Sequence, residues 1–179
     1  MDKKLLGTKT YDNLIEALNG ESTARNKYTY FASMAKKEGY EQIAQIFLDT
    51  SENEKEHAEV WYKLLFNIGS TKENLRNAIQ KEQYEANEMY PGFAKIAEQE
   101  GFSEIARLFK KVSNIEARHA KRYMKLLENI EEDKVFSDED DIEWVCRKCG
   151  NVHLSKNAPE ICPVCEHKKS YYEREKINY

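Results

Sequence analysis

Residues 38–65, EGYEQIAQIFLDTSENEKEHAEVWYKLL, return at 100–127 as EGFSEIARLFKKVSNIEARHAKRYMKLL. The offset is 62, and 12 of the 28 positions are identical. The matches include the apolar positions Ile43, Ala44, Phe47, Leu64 and Leu65, but also Gly39, Ser51 and Lys63. Unrelated amphipathic helices share apolar spacing; they do not share glycines and polar positions, so the chain holds an internal repeat. Each copy is apolar at steps of three and four, the period of a helix packed along one side. In the second copy Ile105, Leu108, Phe109, Val112, Ile115 and Tyr123 trace that side.

Working outward, the breaks at Gly39, Gly69-Ser70-Thr71 and Gly101 divide the region into helices at 11–38, 40–67, 72–99 and 102–129. Short joints at Gly39 and Gly101 predict two antiparallel hairpins, which facing each other make a four-helix bundle. Composition agrees: 7 Gly and 3 Pro in 179 residues leave little material for the turns of a large sheet. That length suits one domain with room for a small second module, and it buries a core without disulfides. No run approaches the roughly 18–20 apolar residues that span a bilayer, so no membrane role is expected. Met1–Thr10 lacks the apolar segment of a secretory signal, which points to the cytoplasm. A net charge of −4 argues against nucleic acid as a partner.

The offset also carries Glu54-x-x-His57 onto Glu116-x-x-His119. A spacing of three puts both side chains on one helical face. A single such pair is an ordinary solvated pair; two at equivalent repeat positions, using two of only four histidines, point to a metal. The other two helices offer Glu21, and Glu82 with Glu85. Strict repetition of Glu21 falls on Gln83, one residue away from Glu82, and a π-bulge or kink ahead of Pro91-Gly92 is one remedy. Five buried carboxylates without counter-charge would cost several kcal/mol each. Two iron ions supply the charge, and a Glu from each of two helices plus Glu-x-x-His from each of the others is the di-iron bundle pattern.

All four cysteines lie in Cys146-x-x-Cys149 and Cys162-x-x-Cys165, twelve residues apart. Two such knuckles make a tetrahedral thiolate site for iron or zinc. Residues 131–143 carry eight acids among thirteen positions and read as a solvated linker into this module. Trp144, Tyr171 and Tyr172 are its candidate core, and His153 and His167 are expected on the surface rather than as ligands. The expected division is therefore 1–133 for the bundle, 134–142 for the acidic linker and 143–179 for the four-cysteine domain.

Over nearly its full length the sequence resembles the rubrerythrins. The residues that carry the resemblance are Gly20-Glu21-Ser22-x-Ala24-Arg25-Asn26-x-Tyr28, Glu54-Lys55-Glu56-His57-Ala58, Glu82-x-x-Glu85-x-x-x-Met89-Tyr90-Pro91, Glu116-x-x-His119 and both cysteine knuckles. The resemblance implies a mainly α protein: a ferritin-like di-iron four-helix bundle followed by a small rubredoxin-like β/knuckle domain with one iron held by Cys146, Cys149, Cys162 and Cys165. It further implies that Glu54 and Glu116 bridge two irons. Glu21 would be terminal on the first iron, and Glu82 and His119 on the second. Glu85 and His57 would exchange at the first iron, with Tyr28 and Tyr90 donating hydrogen bonds to ligand carboxylates. Glu166 departs from the small residue that often follows the last cysteine.

The implied activity is reduction of hydrogen peroxide to water. Electrons would come from NAD(P)H through a separate reductase or a rubredoxin, entering at the thiolate-bound iron of a homodimer or larger homo-oligomer. No glycine-rich fingerprint follows a strand, so the chain itself should not bind the nicotinamide. Two other readings are a ferritin-like ferroxidase that handles iron, and a non-enzymatic protein whose zinc-loaded knuckles bind a partner.

Overall fold

The computed structural model describes residues 4–176 and divides into two compact units, Met1–Gly69 and Ser70–Tyr179. The first unit is a hairpin of α1, Lys9–Lys37, and α2, Glu41–Leu65. Thr8 caps α1, its hydroxyl oxygen accepting from the Tyr11 N–H at 3.2 Å. At the far end Tyr40 N–H reaches back to the Ala35 carbonyl at 2.9 Å, and Gly39 adopts a φ of 85°. This closing motif turns the chain in three residues. Ala32, Ala35 and Ala44 are buried between the two helices, with Phe47 and Leu48 packed against them. Alanines at these places let two helical backbones approach closely.

The second unit repeats the plan. Ser70 and Glu73 form a reciprocal capping box that starts α3, Thr71–Tyr84. The helix then passes through a π-turn, Glu85–Met89, and continues as α4, Tyr90–Gln99. Phe102 N–H bonds the Ala97 carbonyl at 2.8 Å, Gly101 has a φ of 86°, and α5 runs from Ser103 to Glu131. Ala94, Ala97 and Ala106 are buried here, each 62 positions after a buried alanine of the first hairpin. The helices predicted from the sequence are all present, with ends within two residues of their expected places.

The π-turn accounts for the register slip noted in the sequence. Tyr28 and Phe31 correspond to Tyr90 and Phe93 at the full offset of 62, whereas Glu21 corresponds to Glu82 at 61. One extra residue therefore enters the third helix between Glu82 and Tyr90, where the backbone widens to i→i+5 bonding. Tyr90 N–H closes on the Glu85 carbonyl. Pro91 has no N–H to offer the next carbonyl, that of Ala86, and the Ser113 hydroxyl donates to it at 2.7 Å. The equivalent Ser51, 1% exposed, donates to the Arg25 carbonyl at 3.0 Å.

After α5 comes an antiparallel sheet of order β2-β1-β3, with β1 at Ser137–Cys146, β2 at Val152–Asn157 and β3 at Tyr172–Arg174. Its core is Trp144, Cys146, Ala158, Cys162 and Tyr172. Tyr171, expected in that core, is 43% exposed and instead meets the His167 ring edge-on at 4.6 Å. The acidic stretch expected as a solvated linker is ordered from Ser137 onward as the start of β1. Arg174 supplies the reason: its guanidinium lies over Trp144, donates to the Lys134 and Ser137 carbonyls at 2.9 and 2.8 Å, and pairs with Asp138.

Each knuckle closes with a bond from the residue after its second cysteine to the carbonyl of its first: Gly150 N–H to Cys146 at 2.8 Å, and Glu166 N–H to Cys162 at 3.0 Å. Both residues have positive φ, 76° at Gly150 and 59° at Glu166. A side chain in that conformation costs roughly 1–2 kcal/mol. Replacing Glu166 with Gly should therefore stabilise the metal-loaded module by about 1 kcal/mol in a denaturant titration; an unchanged midpoint would show that Glu166 is compensated locally.

Candidate metal centres

Within the first hairpin, α1 brings Glu21 against Glu54 and His57 of α2, with their ligand atoms within 4.8 Å of one another. His57 Nδ1 lies 2.9 Å from Glu54 Oε2. The Glu21 carboxyl is held above its usual range, first by a hydrogen bond shared with Glu54, then by burial and by the Glu54 charge. Within the second unit, α3 brings Glu82 against Glu116 and His119 of α5, again within 4.8 Å. His119 Nδ1 is 2.7 Å from Glu116 Oε2 and 3.4 Å from Glu82 Oε2. The shorter contact is the hydrogen bond. The longer one is an ion-pair distance only, and Glu82 Oε2 is buried without a hydrogen-bond partner.

Each triad is an acid-rich site short of positive charge. Burial comes first in raising the Glu82 carboxyl, followed by its hydrogen bond with Glu116 and the charge on Glu116. A carboxyl raised in the folded state binds its proton more tightly there than in the unfolded chain. That stabilisation is complete below the unfolded value and is lost as pH rises through the folded one. The metal-free protein at neutral pH thus carries the whole strain, and a divalent cation relieves it. Accordingly, Glu82→Gln should raise the Tm of metal-free protein at pH 7, with the gap to wild type shrinking toward pH 4.5. Adding metal should reverse the order. Equal melting of both metal-free proteins at pH 7 would remove the charge strain from the account.

Glu85 stands at the first position of the π-turn, with its carboxylate 2.7 Å from Lys81 Nζ and outside both triads. Tyr28 packs with Phe31 and Phe47, and Tyr90 with Phe93 and Phe109, as two matching aromatic trios. Among the described residues, neither tyrosine hydroxyl is hydrogen-bonded to a triad carboxylate. Sequence reasoning missed Lys81, although it stands four residues before Glu85, a spacing that makes helical neighbours. It also missed the Ser51 and Ser113 hydroxyls, which the repeat itself had marked.

The four cysteines are free thiols whose sulfurs lie within 4.8 Å of one another. Cys146 and Cys165 sulfurs are 3.7 Å apart, and those of Cys149 and Cys162 are 3.6 Å apart. A tetrahedral ion with metal–sulfur bonds of about 2.3 Å needs sulfur–sulfur edges of about 3.8 Å, so the cage fits. Its ionisation points the same way. Burial opposes the Cys162 thiolate, yet the Cys165 N–H, the Tyr172 hydroxyl and the Val164 N–H outweigh it and bring the group to about 6. The His167 N–H favours a Cys165 thiolate, but desolvation and three neighbouring sulfurs push it up to about 12. The Cys162 thiolate forms readily, whereas Cys165 needs a cation to give up its proton. Cys146 and Cys162 are buried while Cys149 is exposed, so one edge of the cage faces solvent. His153 and His167 lie outside all three ligand groups.

Comparison with known proteins covers the whole chain. Residues 12–127 match the family model described as rubrerythrin, and residues 144–173 match the rubredoxin-like domain of rubrerythrin. The chain is 47% identical to the rubrerythrin of Porphyromonas gingivalis, covering 100% of this chain and 96% of that protein. It is 47% identical to a putative rubrerythrin of Methanocaldococcus jannaschii, covering 92% of each. Identity to the rubrerythrin of Nitratidesulfovibrio vulgaris is 42%, over 99% of this chain and 100% of that one. No helix among the described residues is long and apolar enough to cross a membrane.

Proposed function

The chain belongs to the rubrerythrin family, and from that premise we propose that it reduces hydrogen peroxide to water in the cytoplasm as a homo-oligomer. The observation that carries the reading is the pairing, in one chain, of two acid–imidazole triads at repeat positions with a four-sulfur cage open to solvent on one edge. The triads would hold two irons, which supply a two-electron reductant for the O–O bond, and the cage would hold a third, suited to one-electron transfer. The balanced reaction is NAD(P)H + H⁺ + H₂O₂ → NAD(P)⁺ + 2 H₂O, with the nicotinamide oxidised on the separate reductase or by way of a rubredoxin. A ferroxidase that delivers iron to a mineral has no need of the cage, which favours the peroxidase reading over that one.

The chain's own residues hold and orient. Glu54 and Glu116, each hydrogen-bonded to its own histidine, would be the ligands common to both irons, with Glu21 held for one iron and Glu82 and His119 for the other. Tyr28 and Tyr90 would donate hydrogen bonds to ligand carboxylates.

Glu85 and His57 would be alternative ligands of the first iron. A carboxylate balances the higher charge of the oxidised pair and a neutral imidazole the lower charge of the reduced one. Lys81 gives the Glu85 carboxylate a partner whenever it is displaced. Crystals of one form, examined reduced and again after peroxide, should show Glu85 bound only in the oxidised state and paired with Lys81 in the reduced state. The same ligands in both would defeat the exchange.

A further inference from the structure

Between the end of α5 at Glu131 and the start of β1 at Ser137 the chain is short and held from several sides. The helix closes with Asp133 at a φ of 56° and the Lys134 N–H on the Asn129 carbonyl at 2.7 Å. The Ser137 hydroxyl donates to the Asp133 carbonyl at 2.6 Å, and the Ala158 N–H to the Phe136 carbonyl at 2.9 Å. The β1–β2 ladder then breaks: Ser137 pairs with Asn157 but Ile142 with Ser155, so residues 138–141 bulge out of the sheet. Arg174 holds the stretch that the ladder leaves. Its Nη2 donates to the Lys134 and Ser137 carbonyls at 2.9 and 2.8 Å, and its Nη1 pairs with the Asp138 carboxylate. That carboxylate also accepts from the Glu139 N–H at 2.8 Å. Register places Arg174 opposite Trp144, and the guanidinium lies 5.4 Å from the centre of that ring. Trp144 in turn packs in one buried cluster with Cys146 and Cys162.

We propose that Arg174 is a positioning residue for electron transfer: its guanidinium fixes the four-cysteine module to the end of α5, so the cage rides on a rigid mount instead of a tether. The electron-transfer part rests on the reading of the cage as an iron inlet; the mount does not. An exposed ion pair alone contributes little. Arg174 differs because one planar fork meets two carbonyls and a carboxylate while stacking on an indole. Lysine, a point charge on a flexible stem, cannot reproduce that set. Helix α5 also carries Glu116 and His119, so the place of the module on α5 governs where the cage can reach. Electron tunnelling falls steeply with distance, and a swinging module spends part of its time out of range.

The test uses the full chain loaded with iron in vitro, comparing wild type with Arg174→Lys. Hydrogen exchange over residues 133–141 should rise about 10–100-fold in the variant, the scale of losing hydrogen bonds to a charged group. Exchange over 106–120, iron content and the visible spectrum should stay those of wild type. Fully reduced protein is then mixed with peroxide, and the returning absorption of the thiolate-bound iron is timed. That return should slow by at least about tenfold, because a misplacement of about 1 Å far from the reacting atoms can cost more than that. The midpoint potential of the cage should not move. Asp138→Asn, which leaves Arg174 its two carbonyls, should fall between the two proteins. Unchanged exchange in Arg174→Lys overturns the mount. Raised exchange with an equally fast return overturns the positioning role, as does a slower return explained by a shifted midpoint. A wild-type cage that peroxide does not reoxidise would remove the inlet reading, and the exchange result would still decide the mount.

Discussion

The Cys149→Ser protein keeps its helices and loses peroxide turnover fed by NADH and a reductase, by at least about 100-fold. That scale follows because altering even an outer partner of a metal site costs 10–100-fold, and Cys149 is a ligand itself. Its sulfur makes one edge of the cage, 3.6 Å from that of Cys162, and it is the exposed member of the four. The cage is built on the end of β1 and the knuckle turns after it, whereas the triads are built on α1, α2, α3 and α5. The helical circular dichroism should therefore be that of wild type. Chemically pre-reduced Cys149→Ser should still be oxidised once by peroxide and then stop. Continued NADH-driven turnover would place the electron entry elsewhere.

Glu116→Ala has the opposite signature. The carboxylate of Glu116 receives His119 at 2.7 Å and shares its site with Glu82, so removing it takes the central member of the triad. Alanine is the best helix former, so α5 survives the change. Peroxide turnover should fall to that of a protein-free control, while the visible spectrum of the thiolate-bound iron stays and is still bleached by the reductase. Loss of that spectrum as well would mean a folding defect. Retained turnover would mean that the triad does not hold the reactive irons.

The fold was legible because it is written twice. Gly39 and Gly101, Phe47 and Phe109, and the two Glu-x-x-His pairs share one offset, and no competing periodicity disturbs it. The two Glu-x-x-His pairs were read from helical spacing and the cysteine cluster from the spacing of its knuckles; the place of Glu82 was read only from the family resemblance. What stayed hidden depends on partners distant in sequence. The π-turn announced itself only as a slip of one residue; its place is set by Pro91 and by a hydroxyl from Ser113, 27 residues from the carbonyl it serves. The acidic run after α5 reads as solvated because its counter-charge, Arg174, arrives 36 residues after Asp138. Tyr171 and Tyr172 are neighbours of the same type, and only strand register decides which one turns inward. Glu85 was legible as a carboxylate near the site, but its pairing with Lys81 depends on how the side chains settle on the helix.

The central claim, that this chain turns two electrons from a nicotinamide into two waters from one peroxide, is tested most directly by counting. The full chain, iron-loaded, is mixed anaerobically with NADH, a suitable reductase and a measured amount of hydrogen peroxide, and nicotinamide absorbance is followed to completion. One NADH should be oxidised for each peroxide added, with no oxidation before peroxide is present and none above background with Glu116→Ala. Oxidation that needs dioxygen instead of peroxide, or that proceeds equally in the Glu116→Ala protein, would contradict it.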